Sequence, residues 1–201
     1  MAKRNSRNTK NKIITAAWKL FYEQGYDDTT IEEIVEASGT SKGSFYHYFG
    51  GKDALLGTLA DLFDNKYQEL IPQLDDNLDS FDKLMFLNQE LFLMIDNSIS
   101  MDLIARLYST QLVTSGQKLL LDHNRIYYKI LRQITAEGQQ KGDLRSDISV
   151  NEFVKAYALC ERALIYDWCV CNGEYSLCQY AKQIIPLFLA GFRTKKSNYI
   201  E

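Results

Sequence analysis

The residues best suited to recognition chemistry lie between positions 41 and 52, with Thr30 a short distance before them. They are hydroxyl, phenol, imidazole and ammonium groups, together with a glycine at which a partner can approach the backbone closely. Groups of this kind donate hydrogen bonds to base edges and to the phosphate oxygens of DNA. On this ground the candidate DNA-binding residues are Lys42, Gly43, Ser44, Tyr46 and Tyr48; Thr30, Ser41, His47 and Lys52 join them for reasons given below.

Two short helices joined by a tight turn must position this set. Thr30 is placed to cap the first helix, and Glu33 follows at the spacing of a capping box. Apolar residues at helical spacing give this helix a buried side, formed by Ile31, Ile34 and Val35. Gly39 suits the turn that ends the helix, because glycine adopts a positive φ without strain.

The second helix is predicted from about Lys42 to Phe49, with Ser41 as its N-cap. Phe45 and Phe49 are four residues apart and should face inward together. The polar residues between them are then left on the outer side. Two helices in this arrangement predict a helix-turn-helix, a unit that offers its second helix to a DNA groove.

Two lysines lie at helix starts, where a cation opposes the helix dipole by roughly 0.3–1 kcal/mol when exposed. Lys42 begins the second helix, and Lys52 begins the next one after Gly50 and Gly51. This placement is understandable if both lysines face an external polyanion. The alternative is that they are solvated lysines on a small three-helix domain.

The segment before this unit is strongly basic. Residues 1–19 contain six cationic residues and no acid, namely Lys3, Arg4, Arg7, Lys10, Lys12 and Lys19. A first helix is predicted from about Thr9 to Gln24, ending at Gly25, with a basic arm ahead of it. Such an arm is typical of a DNA-binding protein, although a disordered solubilising tail would have the same composition.

The charge of the chain is divided in the same way. Residues 1–52 hold 8 Lys and Arg against 6 Asp and Glu, a net charge of +2, whereas residues 53–201 hold 15 against 20, a net charge of −5. The sequence has no apolar run long enough for a membrane span and no signal-peptide h-region, so a cytoplasmic protein without membrane contact is expected. Its 201 residues suffice for one globular body or two small domains.

The run TIEEIVEASGTSKGSFYHYF, residues 30–49, and its flanks over roughly residues 13–56 resemble the N-terminal domain of the TetR family of transcriptional regulators. The departures are small: Val35 replaces the usual Ala, and Thr40 replaces the commonest Val. The resemblance implies an all-α fold of about nine helices. It implies a three-helix DNA-binding domain over residues 1–52 and a larger ligand-binding and dimerisation domain over residues 53–201.

The resemblance also implies roles for single residues. Lys42, Gly43 and Tyr46 match positions that contact bases in the family. The positions that usually contact phosphates are matched by Thr30, Ser44, His47, Tyr48 and Lys52. Family members bind palindromic double-stranded operators as homodimers, usually repress, and release DNA when a small effector binds.

Six further helices are predicted from the helical spacing of apolar residues and from the residues that mark helix ends. Their approximate ranges are 52–70, from Ser80 onward, 101–114, 117–141, 150–171 and 177–193, the last one kinked by Pro186. The last two are strongly apolar and could pair with their symmetry copies as a four-helix bundle, or pack on their own domain. The predicted dimer-interface residues are Leu164, Trp168, Ile184, Ile185, Phe188 and Phe192.

A small-molecule effector site is predicted from polar and aromatic members of otherwise apolar helices. The candidates are Asn88, Phe92, Tyr108, Gln111, Tyr127, Glu161 and Trp168. Glu161 is the sharpest of them, because an unpaired buried carboxylate is costly. It could bind a cationic or donor-rich ligand, pair with an arginine, or lie at the wet edge of the dimer interface.

Other functions have weaker support. The chain has no nucleotide-binding glycine loop, nucleophile elbow or zinc-protease motif, so we expect no enzyme, metal or cofactor. Cys160, Cys169, Cys171 and Cys178 lack C-x-x-C spacing and are expected to pack as free thiols. The alternatives are a thiol- or metal-responsive regulator of the same fold, or a helical protein-binding adaptor.

Overall fold

Proline stands at two positions, 72 and 186, so most of the chain is free to form helices. The computed structural model describes residues 2–113 and 118–194, in which the regular elements are ten α-helices, three 3₁₀-helices and an isolated bridge between Leu144 and Arg193. The α-helices are α1 (Ala2–Gln24), α2 (Ile31–Ser38), α3 (Lys42–Tyr48), α4 (Lys52–Leu56), α5 (Thr58–Leu70), α6 (Ser80–Ser98), α7 (Met101–Val113), α8 (Ile126–Lys141), α9 (Val150–Val170) and α10 (Leu177–Leu189). The predicted all-α class is confirmed.

Two helix starts differ from the prediction. α1 begins at Ala2, not Thr9, so the basic segment is the first part of a long helix. α8 begins at Ile126, because the Asp122 side chain accepts the Asn124 amide and a turn closes between Asp122 and Arg125. The predicted start of this helix at Gln117 lies outside the described residues, as does the predicted end of the preceding helix at Thr114.

The helix predicted from Lys52 to about Leu70 is divided at Gly57. The Thr58 hydroxyl donates to the Leu55 carbonyl at 2.6 Å and so competes with the backbone for that acceptor. A Cβ at position 57 would lie 2.6 Å from a methyl carbon of Leu119, so a larger residue there would displace that side chain. The last predicted helix ends early, at Leu189, and a 3₁₀ turn from Ala190 to Phe192 follows.

The described helices gather into two compact units. Of the described residues, the N-terminal unit comprises 2–62 with 102–113 and 118–120, and the C-terminal unit comprises 63–101 with 121–194. The helix-turn-helix therefore shares its unit with α4 and most of α7. The functional boundary at residue 52 stays a prediction. Among the described residues, none of the helices combines the length and apolarity needed to cross a bilayer.

Each unit has its own apolar core. In the N-terminal unit the fully buried residues include Ile13, Ala17, Ile34, Phe45, Leu55 and Leu56. In the C-terminal unit they include Leu84, Phe92, Ile95, Tyr128, Leu131, Phe153 and Ile185. These cores fix the two sets of functional side chains described next.

Candidate DNA-binding surface and effector site

The first helix of the helix-turn-helix is capped as predicted. Thr30 accepts the Glu33 amide at 3.2 Å, and the Glu33 carboxylate accepts the Thr30 amide at 2.8 Å, which is a complete capping box. Gly39 has φ +61° and ends the helix in the left-handed region. The Thr30 hydroxyl also donates to Glu33 at 2.8 Å, so its main role in the free protein is to fix the start of α2.

The helix α3 presents its polar residues outward. Ser41 caps it by accepting the Ser44 amide at 3.1 Å, and the two hydroxyls lie 2.9 Å apart. Phe45 and Phe49 are buried, which confirms the predicted inward pair. Tyr46 and His47 are exposed, and Tyr48 is half-buried. The predicted base-contacting and phosphate-contacting residues between positions 42 and 48 therefore all lie on α3.

Gly43 is free of internal crowding. A Cβ at this position would meet one atom within 4 Å, the Ser41 hydroxyl oxygen at 3.8 Å, which is an ordinary contact. Its backbone is helical, so no positive φ requires glycine either. Glycine is disfavoured in a helix by roughly 0.5–1 kcal/mol relative to alanine. Among the described residues, no crowding around position 43 accounts for this cost.

Lys42 is already paired in the free protein. Its ammonium lies 2.5 Å from a carboxylate oxygen of Glu32 on α2, and both side chains are exposed. The hydrogen bond from Lys42 lowers the pKa of Glu32, and the same contact raises the pKa of Lys42. A base contact by Lys42 would form beside this ion pair or replace it, because the ammonium has three N–H donors.

Lys52 has an internal role that the sequence did not indicate. Its ammonium donates to the carbonyl oxygens of Tyr26, Thr29 and Asp27 at 2.6, 2.8 and 3.2 Å. It also lies 4.3 Å from the centre of the Tyr26 ring. Since an ammonium has three N–H donors, all of them are used. These contacts give Lys52 a structural role in the free protein, and its contact with an external polyanion stays a prediction.

The loop held by Lys52 leads into the helix-turn-helix and is held from α7 as well. Arg106 forms an ion pair with Asp27 and lies over the Tyr26 ring at 5.7 Å. The Tyr26 hydroxyl donates to Asp53 on α4, and burial raises the pKa of Tyr26. α4 and α7 thus fix the same loop, whose next residue, Thr30, caps α2.

A polar cluster lies in the core of the C-terminal unit around Glu161. The carboxylate accepts from the Asn88 amide at 2.7 Å and from the Tyr127 hydroxyl at 2.5 Å. Tyr157 lies nearby, where its hydroxyl donates to the Leu84 carbonyl at 3.1 Å, and all four residues are buried. Side-chain donors from α6 and α8 therefore hold Glu161, in place of the arginine pair or the wet interface edge considered from the sequence. The carbonyl oxygen of Asn88 has no partner among the described residues.

Burial raises the pKa of Glu161, while the hydrogen bonds from Tyr127 and Asn88 oppose that rise. The folded protein therefore binds this proton more tightly than the unfolded chain. The stability that this proton binding contributes is complete below the ordinary pKa of 4.5 and is lost as the pH rises through the raised pKa.

Glu161→Gln is expected to remove this pH dependence, because glutamine does not titrate. The melting temperature of the variant, relative to the natural protein, should rise between pH 5 and pH 8. A rise of one in the pKa of Glu161 corresponds to about 1.4 kcal/mol in the free energy of unfolding. Differential scanning calorimetry at both pH values measures the difference, with Glu36→Gln as an exposed control. A difference that stays constant or falls with pH would contradict the assignment.

The other predicted effector residues do not all join this cluster. Phe92 and Trp168 are buried in the same unit, and the Trp168 indole donates to the Tyr175 carbonyl at 2.9 Å. Tyr108 and Gln111 belong to the N-terminal unit. There Gln111 accepts the Leu120 amide at 3.3 Å.

The predicted dimer residues divide by exposure. Leu164, Trp168 and Ile185 are buried within the protomer, Ile184 and Phe192 are half-buried, and Phe188 is exposed.

A second apolar stripe on the same two helices is exposed to solvent. We call it the α9/α10 apolar face, and it consists of Leu159, Tyr166, Val170, Tyr180, Leu187 and Phe188. Leu187 is 73% exposed, the most of this set. The periodicity of α9 identified its inner stripe and missed the outer one.

Three of the cysteines, Cys160, Cys169 and Cys178, have the character of protonated thiols. Burial raises the pKa of Cys160 and of Cys169 to about 11, and it raises the pKa of Cys178 as well. A thiol is a far weaker nucleophile and metal ligand than a thiolate. Within residues 2–113 and 118–194, no three His, Cys, Asp or Glu side chains converge in a way that could hold a metal ion.

Comparisons with known proteins agree with this geometry. Residues 13–59 match the family model of bacterial regulatory proteins of the tetR family. The transcriptional regulator HbdR of Aromatoleum sp. (strain CIB) is 29% identical over 197 residues, which cover 94% of this chain and 82% of that protein. It belongs to a class of regulators, not of enzymes.

Solved structures share the fold. The Thermus thermophilus repressor FadR in complex with lauroyl-CoA has a TM-score of 0.74 at 20% identity, covering 94% of this chain and 97% of its own. Bacillus subtilis FadR in complex with stearoyl-CoA has a TM-score of 0.66 at 21% identity, covering 92% and 100%. With its capped helix-turn-helix, its match to the tetR family model over residues 13–59 and relatives that extend along nearly its whole length, the chain is similar to the TetR family of bacterial transcriptional regulators.

Proposed function

We propose that this protein is a repressor that binds a palindromic operator as a homodimer and is released by a small effector. The outward face of α3 carries the proposal, since Lys42, Gly43, Ser44, Tyr46 and His47 are presented there on a helix fixed by buried phenylalanines. α3 would lie in the major groove, with Lys42, Gly43 and Tyr46 at base edges. The proposed place of action is the cytoplasm, where the operator is found.

Gly43→Ala separates DNA recognition from folding. Alanine favours the helix and meets no internal clash, so the melting temperature should stay the same or rise. Operator affinity should fall by about tenfold, a loss of about 1.4 kcal/mol, because the added methyl group holds the helix away from the groove. Fluorescence anisotropy with DNA from the protein's own upstream promoter measures the affinity.

Two further variants test the same surface. Lys42→Ala should lower affinity for the operator more than affinity for unrelated DNA, because a base contact carries sequence information and a phosphate contact does not. Glu36→Gln, exposed on α2, serves as the control. If Gly43→Ala and Lys42→Ala both bind the operator like the natural protein, α3 is not the reading helix. Contacts with DNA phosphates make affinity depend on salt concentration. An affinity for the operator that does not change with salt would therefore favour the protein-binding adaptor instead.

We further propose that the effector is an acyl-CoA thioester. Lauroyl-CoA and stearoyl-CoA are bound by the two FadR proteins that share this fold. The C-terminal unit has an apolar core with the Glu161 cluster as its polar centre, and the acyl chain would pack among these apolar side chains. Acyl-CoA should release the operator in the anisotropy assay, whereas the free fatty acid should not. Release by both compounds alike, or by neither, would reject the proposal.

The α9/α10 apolar face is the proposed dimer contact. Contiguous exposed apolar residues on two neighbouring helices are typical of an interface. Two copies would form a four-helix bundle from α9, α10 and their symmetry mates. A thiol switch is a weaker alternative, because the raised pKa values of Cys160 and Cys169 leave both sulfurs protonated at neutral pH.

A further inference from the structure

A basic cavity lies on the C-terminal unit between α8, α9 and the loop before α8. Its volume is about 460 Å³, and it is lined by His123, Arg132, Asn151, Val154 and Lys155. This size is within the range of small-molecule sites, roughly 300–1,000 Å³. The lining combines two permanent cations, an imidazole and an amide over a buried valine floor, and it contains no carboxylate.

The two cations of this cavity lack acidic partners among the described residues. Neither Arg132 nor Lys155 forms an ion pair with any described residue, although residues 53–201 carry a net charge of −5. The acid in the first turn of α9, Glu152, is engaged by the amide and hydroxyl of Ser149 in a capping box. Asn151 lies in the same first turn, where the helix dipole favours an anion.

The walls of the cavity are held in place. Arg132 donates to the His123 carbonyl at 2.9 Å, which ties the loop to α8. The His123 ring packs 4.6 Å from the Tyr128 ring, and that ring packs 4.8 Å from Tyr127. Tyr127 in turn donates to Glu161. A ligand at His123 would therefore sit against a row of packed rings that ends at the buried cluster.

We propose that this cavity binds the phosphate groups of a phosphorylated ligand. Arginine forms paired hydrogen bonds with phosphate oxygens, and lysine adds a mobile point charge. The inference deepens the proposed function and rests on it, since coenzyme A carries three phosphate groups and would place them here. A free phosphorylated metabolite presents the same chemistry, and the experiment distinguishes the two sources.

Isothermal titration calorimetry at constant ionic strength tests the site with coenzyme A, adenosine 3′,5′-bisphosphate and inorganic phosphate. Lys155→Gln and Arg132→Gln should each weaken binding of coenzyme A by roughly tenfold, as expected for one lost charge-assisted contact with phosphate. Lys129→Gln is the matched control, because Lys129 is exposed on α8 outside the cavity. Equal binding by all four proteins, or no binding of any probe, would overturn the proposal.

Operator binding separates this inference from the effector proposal. If the cavity variants lose coenzyme A and also require about tenfold more lauroyl-CoA for release, both proposals are supported. If lauroyl-CoA never releases the operator but the bisphosphate still binds in a Lys155-dependent way, the effector proposal fails and the anion site stands. A loss of operator affinity in Lys155→Gln without any ligand would assign the lysine to DNA and overturn the site.

Discussion

Lys52→Met is expected to destabilise the N-terminal unit and to weaken DNA binding on every sequence. The ammonium holds three carbonyl oxygens of the loop that leads to α2, at 2.6–3.2 Å. Hydrogen bonds to a charged group contribute about 1.5–3 kcal/mol, so the loss should be of that order. In a chain of this size it corresponds to a fall in melting temperature of roughly 5–10 °C.

Thermal denaturation without DNA distinguishes this positioning role from a direct phosphate contact. A lysine that touched phosphate alone would leave the melting temperature unchanged and lower the salt dependence of binding by about one phosphate contact. Lys19→Met removes the same charge from an exposed lysine on α1 and is the control. If Lys52→Met and Lys19→Met melt alike, the three carbonyl contacts do not stabilise the unit.

The contrast between Thr30 and Lys52 shows what the sequence could predict. Thr30, Glu33 and Gly39 act within one helix and its turn, so their spacing alone determines the cap and the end of α2. The partners of Lys52 lie 23 to 26 residues earlier in the chain. No local pattern specifies such a contact, and a lysine at a helix start therefore looked like a free cation.

The same limit applies to the C-terminal unit. Glu161 was recognisable as a carboxylate on an apolar stripe, because the helical period places it inside. Its partners Asn88 and Tyr127 are 73 and 34 residues away, and their hydrogen bonds depend on how α6, α8 and α9 pack. The basic cavity was missed for the same reason, since His123 and Lys155 meet only in the folded unit.

Leu187→Glu is expected to have the larger effect on function, by separating the homodimer. Leu187 is 73% exposed in the α9/α10 apolar face. In a symmetric contact, two introduced carboxylates would lose water and repel each other across the axis. A monomer binds one half-site at a time, so operator affinity should fall by a factor on the order of 10²–10⁴. Sedimentation velocity measures the dimer, and anisotropy measures the operator affinity.

Two controls decide whether exposure or burial defines the interface. Leu62→Glu places the same charge on an exposed leucine of α5 and should leave the dimer intact. Leu164→Ala removes a buried side chain predicted from the sequence to meet the partner, and should cost about 2–5 kcal/mol of folding stability. If Leu164→Ala dissociates the dimer at a concentration where it remains folded, while Leu187→Glu remains dimeric, the inner stripe forms the interface. The protomer would then have to open α9 and α10 on assembly, because Leu164 and Ile185 are buried when it is folded alone.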